Sequence, residues 1–161
     1  MVATRESPRY WLMKSEPDVF SITDLERVKR EPWTGVRNYQ ARNYMREMRV
    51  GDLVLFYHSN AKPPGVVGVA RVCREAYPDA TQLDPASPYF DPKATAAAPR
   101  WEHVDVEHVE TLPRTVTLEE LKADAKLEGM LVTQKGSRLS VQPVDPAHFQ
   151  RVLEIARRAP R

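Results

Sequence analysis

The sequence predicts an α+β fold in which a small curved sheet or barrel carries short helices. Short apolar runs typical of strands recur along the chain, some with strict alternation. Between them lie segments that begin with helix N-terminal patterns and whose apolar residues recur at helical spacing. No internal repeat is present. Strands of antiparallel type interrupted by short helices therefore favour an α+β architecture.

The predicted strands are short and separated by turn residues. They lie at residues 10–14, 52–59, 66–77, 101–112 and towards the end of 135–144. The second and third are joined by the connection NAKPPG, which predicts an antiparallel hairpin. Gly68 interrupts the third strand, and a glycine at such a position indicates a bulge or a close approach of another backbone.

Four helices are predicted from their first residues. The capping residues are Ser21, Asn38, Thr117 and Asp145. Asp24 and Glu120 lie three residues after two of these caps and complete capping boxes. Pro146 occupies the first position of the last helix. The helix predicted over residues 38–49 has one apolar stripe, formed by Ala41, Tyr44, Met45 and Met48.

Length and charge limit the classes of function. A chain of 161 residues, 42% hydrophobic and 29% charged, suits one domain, expected to span residues 1–161 with a core over about 9–156. The formal net charge is only +2, which excludes a polybasic protein. Affinity for a nucleic acid would therefore come from local clusters of Lys and Arg.

Cysteine and histidine give no sign of a metal site or a bound cofactor. Cys73 is the single cysteine, which excludes a disulfide framework and a cysteine-rich zinc site. His103 and His108 are interpreted as chance neighbours, since the histidines show no metal-ligand spacing. The N-terminus lacks the apolar segment of a secretory signal, and no stretch is apolar for long enough to span a membrane. A cytoplasmic protein without membrane contact is therefore expected.

Residues 78–99 contain five of the 14 prolines and three aspartates. This composition predicts a long irregular excursion from the fold. Loops longer than about 12–15 residues are usually functional or mobile.

Polar and aromatic residues concentrate where predicted strands end and loops begin. These residues are Lys14 with Ser15, Trp33 with Arg37 and Asn38, Tyr57 with His58 and Ser59, and Arg138 with Ser140. Trp33 lies ahead of the second helix, and its position alone favours a core or capping residue. The alternative is a stacking platform for a nucleobase, where each stack contributes about 1–3 kcal/mol.

A second stripe on the helix over residues 38–49 is basic. It consists of Arg42, Arg46 and Arg49. Such a stripe is usually a solvated face. If it is functional, it contacts phosphates, and the loss of each arginine lowers the salt dependence of binding by about one unit of slope.

Several motifs in the same order resemble the EVE domain family, which includes the thymocyte nuclear protein group and is similar to YTH domains. The motifs are YWLMKSEPDVFSITDL, WTGVRNYQARNYMREMRVGDLVLFYHS, GVVGVARV, YPDATQLDPASPYFDP, W followed by VDV, and SRLSVQPV. The resemblance runs from about residue 9 to residue 156. It implies a PUA-like fold, a curved antiparallel or mixed β-barrel with short helices at its rim.

The resemblance also implies a function without catalysis. EVE domains are implied to bind a modified base, chiefly methylated or hydroxymethylated cytosine, in DNA or RNA. By motif, the base-binding pocket is expected at Lys14, Ser15, Trp33, Asn38, Tyr57, His58 and Ser59. Contacts to the nucleic-acid backbone are expected at Arg37, Arg42, Arg46, Arg138 and Ser140. Trp33 would form one wall of the pocket, and the protein is expected to act as a monomer.

Two other classes of function stay open at the level of sequence. The first is a small enzyme that acts on a nucleotide or a modified base, with His58 as acid or base. The absence of a recognisable nucleophile or metal spacing weighs against it. The second is a protein that uses the same pocket to bind a free small molecule.

Overall fold

The computed structural model of the protein describes residues 7–136 and 138–158. The six strands are β1 (Tyr10–Ser15), β2 (Arg30–Pro32), β3 (Leu53–His58), β4 (Gly65–Pro78), β5 (Glu102–Thr117) and β6 (Val141–Val144). The four helices are α1 (Ile22–Val28), α2 (Tyr39–Glu47), α3 (Leu118–Ala123) and α4 (Pro146–Ala156). Three short 3-10 helices lie at Ala80–Leu83, Ala125–Leu127 and Leu131–Thr133.

The strands form one mixed sheet in the order β2-β5-β4-β3-β1-β6. β1 and β3 are parallel, and the other neighbours are antiparallel. The α+β class with a curved, mixed sheet is therefore confirmed, and the sheet of described residues is open rather than closed into a barrel. Both edge strands are short and contain a proline, Pro32 in β2 and Pro143 in β6. Proline lacks a donor for a further strand, so it ends pairing at an edge.

The register of the central strands shifts at several points. One shift lies between Phe56 and Tyr57 of β3, and four lie between β4 and β5. Bulges of this kind bend a strand and increase its twist. Gly68 lies at one of them, and a Cβ at this position would be 2.4 Å from Cδ1 of Ile22. The expected close approach is therefore that of α1 to the sheet.

Each face of the sheet carries its own buried cluster. One contains Leu12, Leu55 and Phe149. The other contains Trp11, Met13 and Phe56, together with Trp33 and the buried residues of α2. Successive side chains of a strand point to opposite faces. The sheet therefore divides the residues of β1 and β3 between two sides of the molecule.

The predicted helix caps are confirmed. Ser21 and Asp24 form a complete capping box, as do Thr117 and Glu120. Asn38 Oδ1 accepts from Ala41 N at 2.9 Å, and Asp145 caps α4 ahead of Pro146. α2 is shorter than predicted, since Met48 is already extended. β2, with three residues, carries no sequence pattern and was not predicted, whereas β5 extends five residues beyond the predicted strand.

The proline-rich excursion is an ordered loop that is closed by Gln82. This fully buried side chain donates from Nε2 to the carbonyl oxygens of Asp79 and Trp101, at 2.8 and 2.9 Å. Its Oε1 accepts from the backbone N–H groups of Arg100 and Trp101. One amide therefore joins both ends of the excursion and holds it against the sheet.

Candidate nucleic-acid site

A cavity of about 440 Å³ opens where β1 and β2 end. Its size is within the usual range for small-ligand pockets, about 300–1,000 Å³. Its lining comes from the end of β1, the turn before α1, the end of β2 and the segment that leads into α2, with one residue from the excursion and one from just ahead of β6. The lining residues are Lys14, Ser15, Glu16, Val19, Phe20, Glu31, Pro32, Trp33, Thr34, Gly35, Val36, Arg37, Tyr89 and Ser140.

Trp33 is both a core residue and a wall of this cavity. The side chain is 8% exposed and meets Phe56 and Phe20 edge to face, with ring centroids 5.5 and 6.4 Å away. Its Nε1 donates to no described residue and is not among the buried unpaired polar atoms. The two interpretations of Trp33 are therefore compatible, because the ring is clamped on one side and reaches the cavity on the other.

The segment after Trp33 is held by a buried carboxylate, Asp79. Its oxygens accept from Gly35 N at 2.9 Å, from Arg37 Nη1 at 3.2 Å and from both N and Oγ1 of Thr81. Burial alone would raise the pKa of Asp79, but hydrogen bonds from Thr81, Gly35 and Arg37 outweigh it and lower the pKa. The carboxylate stays ionised and fixes the loop.

Gly35 allows the excursion to approach this loop. Its φ is +88°, and a Cβ would lie 2.7 Å from Cζ of Tyr89. A side chain at this position would therefore be strained and would collide with the aromatic wall. The close approach brings the Tyr89 ring to the mouth of the cavity, where it is 38% exposed.

Arg37 anchors this wall. Nε and Nη2 donate to the carbonyl oxygen of Tyr89 at 3.0 and 2.7 Å, and Nη2 donates to Thr81 Oγ1. The guanidinium carbon lies 5.7 Å from the Tyr89 ring centroid and 5.4 Å from that of Trp101. Most of its donors are thus engaged within the protein. A phosphate contact for Arg37 remains a prediction.

Lys14 and Ser15 diverge because they are neighbours on a strand. Ser15 Oγ donates to the carbonyl oxygen of Phe20 at 2.6 Å and so shapes the turn before α1. Lys14 Nζ lies 5.8 Å from the ring centroid of Tyr57, and burial lowers the pKa of this lysine. Ser140 meets this edge through its backbone, since its carbonyl oxygen accepts from Lys14 N at 2.8 Å.

Strand alternation places Tyr57 and His58 on opposite faces of the sheet, and neither they nor Ser59 line this cavity. Tyr57 faces the other side of the sheet and lines a larger cleft of about 810 Å³. His58 Nε2 accepts from Ile22 N at 3.1 Å, and burial lowers the pKa of His58. Ser59 N donates to the carbonyl oxygen of Ser15. None of the three lines the cavity at Trp33, and their roles towards a base remain predictions.

The other predicted contacts are dispersed. Asn38 uses Oδ1 to cap α2, Arg42 Nη1 donates to the carbonyl oxygen of Arg100 at 2.7 Å, and Arg46 pairs with Glu102. Arg138 is exposed and forms no ion pair with a described residue. The cavity therefore brings together Lys14, Ser15, Trp33, Arg37 and Ser140 of the predicted set.

Sequence reasoning missed three cavity residues of interest: Phe20, Glu31 and Tyr89. Phe20 was assigned only to the start of a helix. Glu31 belongs to the unpredicted strand β2, and Tyr89 comes from the excursion, so no local pattern linked either to Trp33. Tyr89 lies 56 residues after Trp33, and hydrogen bonds of Arg37 and Asp79 help to bring the two together.

Residues 7–136 and 138–158 contain no group of three His, Cys, Asp or Glu side chains that could hold a metal ion. The same residues contain no helix that is long and apolar enough to cross a membrane.

Comparison with known proteins gives consistent matches. The model of the EVE domain matches residues 9–155. Thymocyte nuclear protein 1 of Mus musculus is 41% identical over 94% of this chain and 75% of its own length. The crystal structure of human THYN1 in complex with DNA containing 5-methylcytosine has a TM-score of 0.89 and 40% identity, and it covers 94% of this chain and 99% of that chain. A crystal structure from Pseudomonas putida has a TM-score of 0.89 and 52% identity, with coverages of 91% and 99%.

These relatives correct one expectation. The mouse and human proteins are named as nuclear, so the expectation of an exclusively cytoplasmic protein is wrong. The family model matches nearly the whole chain, and the relatives are similar to it over most of their own length. Both findings classify the chain. This chain belongs to the EVE domain family.

Proposed function

We propose that this protein binds a modified base, methylated or hydroxymethylated cytosine, within a nucleic acid and without catalysing a reaction. The observation that carries the proposal is the cavity at Trp33, in which a clamped indole, Phe20 and Tyr89 surround a space of nucleobase dimensions. We take the chain to act as a single-domain monomer with a core over residues 9–156.

A relative supports the choice of ligand. Human THYN1, 40% identical to this chain, was crystallised with DNA containing 5-methylcytosine. A base that remains stacked in a duplex does not present its faces to the aromatic walls of the cavity. The base therefore has to be flipped out or supplied by a single strand.

Selectivity for the methyl group is expected to be modest. Burial of one methyl group contributes about 0.8 kcal/mol, or roughly fourfold in affinity. Stacking on aromatic side chains contributes about 1–3 kcal/mol per base and does not distinguish the bases. Most of the affinity is therefore expected from stacking and phosphate contacts, with a smaller share from the modification.

The test is a titration of fluorescent oligonucleotides that carry one central cytosine, 5-methylcytosine or 5-hydroxymethylcytosine. Single-stranded DNA, duplex DNA and RNA are compared at two salt concentrations. We expect tighter binding of a modified oligonucleotide and weaker binding at high salt. Equal, salt-independent binding of the free nucleoside would instead support a small-molecule binder. Turnover that disappears in His58→Asn would support an enzyme.

Variants of Trp33 separate its two roles. Trp33→Ala is expected to weaken base binding by about 5- to 150-fold, the range of one lost stack. It also creates a cavity beside Phe56, and we expect the free energy of unfolding to fall by about 3–5 kcal/mol. Trp33→Phe keeps an aromatic ring between Phe20 and Phe56 but offers a base a smaller stacking surface. We therefore expect a smaller loss of affinity than in Trp33→Ala, with nearly unchanged stability. Binding and thermal unfolding are measured on the same samples.

Trp11→Phe is the matched control. Trp11 is fully buried, donates to Asp52 and lines neither cavity. We expect this change to lower the unfolding temperature and to leave the affinity of the folded protein unchanged. Equal affinity losses in Trp11→Phe and Trp33→Phe would show that Trp33 acts only through stability.

A further inference from the structure

We propose that Glu31 determines which base the cavity accepts, by taking a hydrogen bond from the exocyclic amine of cytosine. The inference rests on the proposed function and deepens it. Glu31 would contact the amine at the 4-position of the base, whereas the aromatic side chains would stack on the faces of the base.

The position of Glu31 places it beside the platform. Glu31 lies in β2 and Trp33 follows its last residue, where Trp33 N still donates to the carbonyl oxygen of Val104 in β5 at 2.9 Å, so the two side chains leave the extended backbone on the same side. Two residues of an extended strand span about 6–7 Å. Both residues line the cavity. A base that stacks on the indole therefore presents its edge towards the carboxylate.

Glu31 has hydrogen-bonding capacity left over. Neighbouring carboxylates are engaged: Glu16 accepts from Asn60 Nδ2 at 3.1 Å, and Asp105 accepts from the Tyr77 hydroxyl at 2.6 Å. Glu31 is partly buried, and no hydrogen bond or ion pair joins its carboxylate to another described residue. The carboxylate oxygens are not among the buried unpaired atoms, so they reach solvent in the cavity and are free to accept from an N–H group of a ligand.

The surroundings of Glu31 favour such a donor. Burial, and then the charges of Asp105 and Asp24, raise the pKa of Glu31. The charges that raise this pKa are both negative, and the partial positive charge of an amine is therefore favoured beside the carboxylate. Cytosine carries an amine at position 4, where thymine and uracil carry a carbonyl oxygen. The same carboxylate would therefore repel thymine.

The test compares 5-methylcytosine with thymine at one position of the same oligonucleotide. The two bases share the methyl group and differ at the 4-position amine and at N3. We expect wild-type protein to prefer 5-methylcytosine by about 5- to 150-fold, the range of one base-edge recognition. Glu31→Gln replaces the acceptor pair with an amide that also donates to a carbonyl oxygen. We expect the preference to fall below about threefold, mainly through better binding of thymine.

Glu26→Gln is the matched control, since Glu26 is an exposed glutamate of α1 that lines neither cavity. It should keep the wild-type preference. Glu31→Asp retains the carboxylate but withdraws it by one methylene, and an intermediate preference is expected. Binding of the thymine oligonucleotide by Glu31→Gln shows that the variant is folded.

The outcomes separate the inference from the function on which it rests. Wild-type protein that binds none of the oligonucleotides overturns the proposed function and the inference with it. Wild-type protein that binds 5-methylcytosine and thymine equally well overturns the inference alone. A Glu31→Gln variant that keeps the full preference has the same consequence.

Discussion

Two cavities among the described residues share Lys14 and differ in what surrounds it. The cleft at Tyr57, on one side of the sheet, has a volume of about 810 Å³, against about 440 Å³ for the cavity at Trp33. The larger cleft is lined mainly by α3 and the turns that follow it, with Lys122 and Lys135 among its residues. The smaller cavity holds three aromatic rings and the unpaired carboxylate of Glu31. The two cavities therefore differ in chemistry, and we propose the smaller one as the base site because aromatic walls and a hydrogen-bond acceptor lie together there.

The two cavities also have separate anchors. Asp79 holds the walls at Trp33 through Gly35 and Arg37. Asp124, which borders the larger cleft, pairs with Arg151 of α4 at 2.7 Å. Each anchor is a carboxylate–guanidinium pair with little exposed surface. The shape of either cavity can therefore be disturbed while the other stays intact.

Removal of these anchors is expected to have the largest effect. Asp79→Ala leaves the Arg37 charge and the Gly35 N–H without their partner, and we expect the free energy of unfolding to fall by about 3–5 kcal/mol. The loop behind Trp33 then loses its support, so affinity for a modified oligonucleotide should fall as well. Urea unfolding and fluorescence titration measure the two effects.

Asp124→Ala is the counterpart at the larger cleft. It removes the hydrogen bonds between Asp124 and Arg151, but Glu154 still pairs with Arg151 at 3.1 Å, so a smaller loss of stability than in Asp79→Ala is expected. Base selectivity should be unchanged, since no residue of the Trp33 cavity bonds to Asp124. If the two variants lose selectivity equally, the cavities are not independent and the comparison fails.

Lysine substitutions show whether a nucleic acid reaches both cavities. Their effect on affinity is expected to be smaller than that of removing the anchors. Each phosphate contact that is lost should reduce the salt dependence of single-strand binding by about 0.7 units of slope. Lys14→Gln should show this reduction because Lys14 borders both cavities. Lys122→Gln should show it only if the strand continues into the larger cleft.

Arg157→Gln serves as the reference for these slopes. Arg157 pairs with Glu110 at 2.7 Å and lines neither cavity. Its substitution changes the net charge by the same amount as each lysine substitution. A slope that falls equally in all three variants would indicate a general charge effect rather than contacts at the cavities.

The smallest expected effect concerns the stability cost of Glu31. Because its pKa is raised in the folded protein, ionisation favours the unfolded chain at neutral pH. Glu31→Gln should therefore be slightly more stable than wild type at pH 7, by about 0.5 kcal/mol. The difference should disappear below the ordinary glutamate pKa of about 4.3, where both states are protonated. Urea unfolding at pH 7 and pH 4 tests this, and a variant less stable than wild type at pH 7 would contradict it.

Much of the fold follows from local patterns in the sequence. The caps at Ser21, Asn38, Thr117 and Asp145 and the hairpin of β3 and β4 were predicted because their signals lie within a few residues of one another. The motifs from YWLMKSEP to SRLSVQPV identified the family for the same reason. Patterns of residues close together in the sequence were sufficient to predict these elements and to identify the family.

The composition of the cavity was decided by tertiary structure. Strand alternation sends Tyr57 and His58 to opposite faces, although the motif places them side by side. The short edge strand β2 brings Glu31 next to Trp33, and the buried Asp79 brings Tyr89 across from a loop 56 residues away. Local patterns determine which elements form, because capping and periodicity act over a few residues. Which side chains meet depends on register, bulges and buried polar contacts between segments distant in the chain, and these are set only when the sheet assembles.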